Sequence, residues 1–138
     1  MELIIVMAII AIVAGIAFPS FQKYAIQGRL KAAARDMMGD FANAKARAVA
    51  ENVDYEIVFD QGNNTYSMQQ AGGEVIQTKT PASFASDIRI QSPAPAKITF
   101  QTRGTSSNET IVLANGQGST ATITTTITGR TYVQFDFK

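Results

Sequence analysis

The sequence predicts an α+β protein, a long N-terminal helix packed on a C-terminal antiparallel β-rich head. Three observations predict it. An unbroken apolar run opens the chain, from Leu3 to Phe18. A helix-period stripe follows, with Leu30, Ala34, Met37, Phe41, Ala44 and Ala48 at spacings of four, three, four, three and four. Beyond Asn52 the pattern changes to short β-rich runs broken by turn residues. The division expected is a helical stalk over residues 1–52, apolar over 1–19, and a head over residues 53–138.

The apolar run is sixteen residues long and stands behind a single carboxylate, Glu2. As a helix it spans about 24 Å, short of the ~30 Å hydrocarbon core of a bilayer. A short membrane span, a signal-peptide core and a buried helix all fit that length. Glu2 has the wrong charge for the start of a signal peptide, and no loop follows the small residues Ala14-Gly15-Ile16-Ala17. Pro19 lacks an N–H and crowds the carbonyl of Gly15, itself a poor helix former. The stalk is therefore expected to kink or unwind between Gly15 and Pro19.

The stripe from Leu30 to Ala48 is a face ready to dock on apolar surface, with Leu30, Met37 and Phe41 as its large side chains. Charge is uneven. Residues 20–50 hold six basic and two acidic side chains, whereas residues 51–138 hold six basic and eight acidic. The stalk is basic and the head mildly acidic, which suits either a solvated helix face or contact between basic stalks and acidic heads of neighbouring copies.

In the head, Tyr55 to Phe59 and Thr65 to Gln70 flank the turn Asp60-Gln61-Gly62-Asn63-Asn64 and predict a hairpin. Glu74 to Thr78, Ile88 to Ser92 and Lys97 to Thr102 are further strands, with Pro93 and Pro95 between the last two. Thr110 to Ala114, Thr120 to Ile127 and Thr131 to Phe137 predict a meander, joined by Asn115-Gly116-Gln117-Gly118 and Thr128-Gly129. Ala121, Ile123, Thr125 and Ile127 alternate with threonines, and Val133, Phe135 and Phe137 alternate likewise, so each strand is expected to pack one face and wet the other.

The chain has no histidine and no cysteine, which removes the commonest general base and the usual zinc and copper ligands. The acidic residues of the head are scattered singly, and no glycine-rich loop joins a strand to a helix. No catalytic residues, cofactor or metal are expected.

Met1-Glu2-Leu3-Ile4-Ile5-Val6, the apolar helix, Pro19 and the amphipathic continuation resemble the N-terminus of type IV pilins and type II secretion pseudopilins. The spacing from Glu2 to Pro19 is that of the family, which implies that this sequence begins three residues inside the mature protein. Those residues, Phe-Thr-Leu by the family pattern, lengthen the apolar helix to about 21 residues and ~32 Å, enough to span a membrane. A weaker resemblance covers much of the rest. Ala44 to Asn52 leads into the Tyr55 strand, Ile98-Thr99-Phe100 precedes Arg103-Gly104, and Ile111-Val112-Leu113 precedes Thr128-Gly129-Arg130, an order similar to the GspH/FimT group of minor pseudopilins and minor pilins.

The resemblance implies a structural subunit of a helical filament. Its partners are further copies, the inner membrane before assembly, a prepilin peptidase and the pilus or secretion assembly machinery, with a periplasmic or extracellular filament as its destination. Glu2, Gly15 and Pro19 are the implied assembly residues. Leu3, Ile4, Ile5, Val6, Ile9, Ile10, Ile12, Val13, Ile16 and Phe18 serve first the membrane and then the filament core. The alternative is a minor or tip pilin that primes assembly or binds DNA. Arg89, Lys97, Arg103 and Arg130 are its candidate contacts, although Thr131-Tyr132 follow Gly129-Arg130 where some DNA-binding members carry Gly-Arg-x-Arg.

Overall fold

The computed structural model describes residues 2–91 and 94–138. The expectations for Met1, Ser92 and Pro93 lie outside the described residues. One helix, α1 (Glu2–Glu51), is followed by β1 (Tyr55–Asp60), β2 (Thr65–Gln70), β3 (Val75–Lys79), a 3-10 turn at Pro81–Ser83, β4 (Arg89–Ile90), β5 (Lys97–Phe100), β6 (Glu109–Ala114), β7 (Thr120–Thr125) and β8 (Thr131–Asp136). The helix stops at Asn52, whose φ of 55° is the left-handed turn that closes many helix C-termini.

The strands form two four-stranded antiparallel sheets, in the orders β3-β2-β1-β5 and β4-β6-β7-β8. The β1–β2 hairpin pairs Tyr55 with Gln70 and Asp60 with Thr65. The β6–β7–β8 meander pairs Ile111 with Ile123 and Ile123 with Val133. Division into two sheets leaves a seam, and Asn64 closes one end of it. Its φ is 54°, its amide donates to the Ile88 carbonyl at 2.9 Å, and its side-chain oxygen accepts from the Ile90 N–H at 2.9 Å. The first hairpin is thereby joined to β4 of the other sheet.

Both sheets lay their apolar faces on the second half of α1. Leu30, Ala34, Met37, Phe41, Ala44 and Ala48 are all fully buried. Phe41 sits at the centre, edge-on to Phe59 at 6.3 Å and tilted against Phe100 at 5.9 Å. Ile57, Ile98, Ile111, Leu113 and Ile123 complete the core. The head therefore has no core without the helix.

Two expectations are corrected. Ile127 does not continue the buried alternation of β7. The strand ends at Thr125, and Ile127 is 68% exposed on the turn into β8. Val133, Phe135 and Phe137 pack against the core only half-buried, because β8 is the last strand of its sheet.

Candidate functional site: an exposed apolar helix tied to the head

Residues 2–24 of α1 project from the head with every side chain exposed, a length of about 33 Å. An 18-residue window of this helix has a mean hydropathy of 2.7 and no residue buried. Glu2 stands at its tip. Leu3, Ile4, Ile5, Val6, Ile9, Ile10, Ile12, Val13, Ile16 and Phe18 are each at least half exposed and surround the rod on all sides. An apolar rod of this length bare in water is costly by its area, so its surface belongs against lipid or other apolar helices.

Of the two outcomes expected at Gly15 to Pro19, unwinding does not occur, since α1 is helical without interruption through both residues. Pro19 removes one helical hydrogen bond, and the helix continues on both sides of that gap. Gly15 adds no constraint of its own, as nothing lies within 4 Å of where its side chain would begin.

Where the helix enters the head, polar ties fix its height and rotation. Lys79 on β3 reaches Asp36 at 3.0 Å and Asp40 at 2.8 Å. Tyr66 on β2 donates to Asp40 at 2.7 Å. Lys45 donates to the Gly129 carbonyl at 2.9 Å, binding the helix to the β7–β8 turn. Lys31 places its ammonium 4.9 Å from the centre of the Phe137 ring. These ties escaped the sequence reading, because Asp36 and Asp40 lie 43 and 39 residues from Lys79 and no local period joins them.

The cluster sets a pH dependence. Burial raises the Tyr66 phenol above its ordinary 10.0, and the adjacent carboxylates of Asp40 and Asp36 add to that. Burial alone lowers the Lys79 ammonium, but hydrogen bonds and charge from Asp40 and Asp36 outweigh it and leave it raised from 10.5. Both groups hold their protons more tightly folded than unfolded. Their stabilisation is complete below the unfolded values and is lost as pH rises above about 10. Urea unfolding of the detergent-solubilised chain should show a stability unchanged by these two groups up to that point and falling beyond it. A stability that holds steady well above pH 10 contradicts the assignment.

Between α1 and the start of β8 lies an apolar groove of about 540 Å³, walled by Met38, Ala42, Ala46, Val49, Gly129 and Thr131. Its small alanines offer the helix backbone closely to anything that packs there.

The sequence of residues 33–129 matches the family described as type II transport protein GspH. The chain belongs to the GspH family. It is of the GspH type among type IV pilins and pseudopilins. No curated protein sequence matches it. Among solved structures it resembles the minor pseudopilin EpsH of the Vibrio cholerae type 2 secretion system, with a TM-score of 0.64 and 15% identity, over 77% of this chain and 96% of that one. The type IV minor pilin FimU of Pseudomonas aeruginosa is similar at a TM-score of 0.64 and 16% identity, over 80% and 92% of the two chains. At these identities the likeness is one of fold, a long helix carrying β-sheets.

In this GspH-family chain the four candidate DNA-contact cations of the head do not form one patch. Lys97 is paired with Glu56 at 2.7 Å. Arg89 lies on β4, a strand at one edge of its sheet, with its side chain exposed. Arg103 and Arg130 are exposed on two turns that meet, since a methyl on Gly129 would stand 2.1 Å from the Gly104 carbonyl oxygen.

Proposed function

We propose that this GspH-family protein is a structural subunit of a helical filament, of the type IV pilus or type II secretion pseudopilus kind. Its N-terminal helix holds it in the inner membrane before assembly and joins the filament core afterwards. The observation that carries the reading is the bare apolar half of α1, continuous in one helix with the half that forms the head's core. Lipid and a bundle of apolar helices are interchangeable surroundings for such a rod. The groove beside Ala42 and Ala46 supplies a second apolar surface against which a neighbour's helix packs. The partners are other pilin-type subunits, the assembly machinery and a prepilin peptidase. The role is not enzymatic and takes no cofactor.

Glu2 is the assembly residue in this reading. A carboxylate at the lip of an apolar helix is expensive in a membrane, and pairing with the N-terminal amine of an adjacent subunit would neutralise both charges and set the axial register. Removing one member of such a buried pair costs about 3–5 kcal/mol, whereas loss of a helix-dipole contact alone costs about 0.3–1 kcal/mol. Electron microscopy of filaments sheared from cells should show this subunit, and Glu2→Ala should abolish or sharply reduce them. Unchanged filament number and length in Glu2→Ala would remove the pairing role.

The adjoining turns of Arg103 and Arg130 keep a second reading in view, a low-copy or tip subunit that contacts DNA. It gains if the protein occurs in filaments only at low copy and binds duplex DNA with a steep salt dependence.

A further inference from the structure

We infer that the basic residues just above the apolar segment form a collar that selects anionic phospholipid headgroups. The inference rests on the membrane anchoring proposed above and adds a lipid preference to it. Phe18, Phe21 and Tyr24 are 68%, 75% and 73% exposed and follow the apolar run directly. Aromatic rings in this position, Tyr above all, sit at the headgroup level of a bilayer. Lys23 lies beside Tyr24, while Arg29 and Lys31 follow about 9 and 12 Å farther along the axis than Lys23. A headgroup layer is about 5–8 Å deep on each side of the hydrocarbon. Helical side chains slant towards the N-terminus, so Arg29 and Lys31 lean back towards the membrane surface.

Charge and placement both favour lipid over a protein partner. From Leu3 to Arg35 there is no acidic residue, and none of Lys23, Arg29 and Lys31 is in an ion pair among the described residues. Lys31 rests over the Phe137 ring, a contact that leaves its charge intact. At about 100° per residue, Lys31 and Arg29 stand some 80° and 240° round the axis from Lys23. The three cations therefore encircle the helix. A bilayer surrounds the rod at Lys23, where nothing of the head covers it, and reaches Arg29 and Lys31 at the edge of the head, where Leu30 is buried. Gly28, with nothing within 4 Å of its missing side chain, opens a notch between Tyr24 and Lys31.

The test is lipid selectivity of the full chain in bilayer vesicles, read by electron paramagnetic resonance as immobilisation of spin-labelled phosphatidylglycerol relative to spin-labelled phosphatidylcholine. The wild-type chain should favour phosphatidylglycerol about threefold or more at low ionic strength. The preference should collapse in high salt and in the variant carrying Lys23→Gln, Arg29→Gln and Lys31→Gln. Arg47→Gln, about 24 Å beyond Lys31 along the helix, should retain it. Equal immobilisation of both labels by the wild type, or a preference that survives in the triple variant, overturns the collar while leaving anchoring intact. If the triple variant instead loses only association between copies, the cations face a neighbour's acidic head and the lipid assignment is wrong. A chain that fails to insert into neutral phosphatidylcholine vesicles at all overturns the anchoring itself, a separate result.

Discussion

Phe41→Ala should cost this protein about 3–5 kcal/mol of stability, out of the 5–15 kcal/mol that a domain commonly has in total. Phe41 is fully buried and touches Phe59 from β1 and Phe100 from β5, so one truncation opens a void between the helix and these two strands of the first sheet. Collapse around that void is limited, because Ala34, Ala44 and Ala48 along the same stripe are already small and Met37 is fully packed. The measurement is urea unfolding of the full chain in detergent, followed by far-ultraviolet circular dichroism of the head. Phe21→Ala is the comparison, since that ring is 75% exposed and should leave head stability nearly unchanged. A loss below about 1 kcal/mol for Phe41→Ala would mean that the helix is not the floor of the core.

Gly129→Ala should cost about 2–5 kcal/mol, through left-handed strain and overpacking together. Gly129 has a φ of 72°, where an L side chain is strained. The added methyl would meet the Gly104 carbonyl oxygen at 2.1 Å and the Lys45 ammonium at 2.9 Å. A carbonyl on a neighbouring turn cannot yield as a flexible side chain does, so the two turns must separate and the Lys45 hydrogen bond lengthens or breaks. Gly39→Ala provides a contrast of opposite sign. That glycine lies inside α1 with nothing within 4 Å of the added methyl, and alanine there should stabilise by about 0.5–1 kcal/mol. Equal midpoints for the two alanine variants would contradict the close approach at Gly129.

Much of this architecture was legible from residue order, and the reason is periodicity. Leu30, Ala34, Met37, Phe41, Ala44 and Ala48 repeat at the helical interval because one face of α1 is the floor of the core. Ala121, Ile123 and Thr125 alternate because β7 has one buried face. The turns at Asn63-Asn64 and Asn115 to Gly118 announce themselves by composition. What escaped is whatever depends on the meeting of distant segments. Nothing near Lys79 in the chain marks Asp36 and Asp40 as its partners. Asn64 was readable as a turn residue, but not as the side chain that joins β4 to the first hairpin. Gly129 was readable as a turn glycine, but the backbone of Gly104 pressing on it was not. At Gly15 to Pro19 the local rule allowed unwinding, yet the helix continues through both residues. Of the residues proposed to act in assembly, Glu2 stands out by its isolation before an apolar run, a signal that needs no tertiary structure.

The unbroken run of α1 from Glu2 to Glu51 has a mechanical consequence. The head is not tethered to its anchor but keyed to it, as a blade is to a shaft. With the ties at Lys45 and Lys79 fixing the shaft in its socket, the azimuth of the head is dictated by how many residues separate the anchor from Leu30. One residue added to that interval would swing the head by about 100° and lift it about 1.5 Å, whereas a full turn would lift it by about 5.4 Å and nearly restore its bearing. The number of residues between the apolar segment and the head is therefore an angular setting for the sheets.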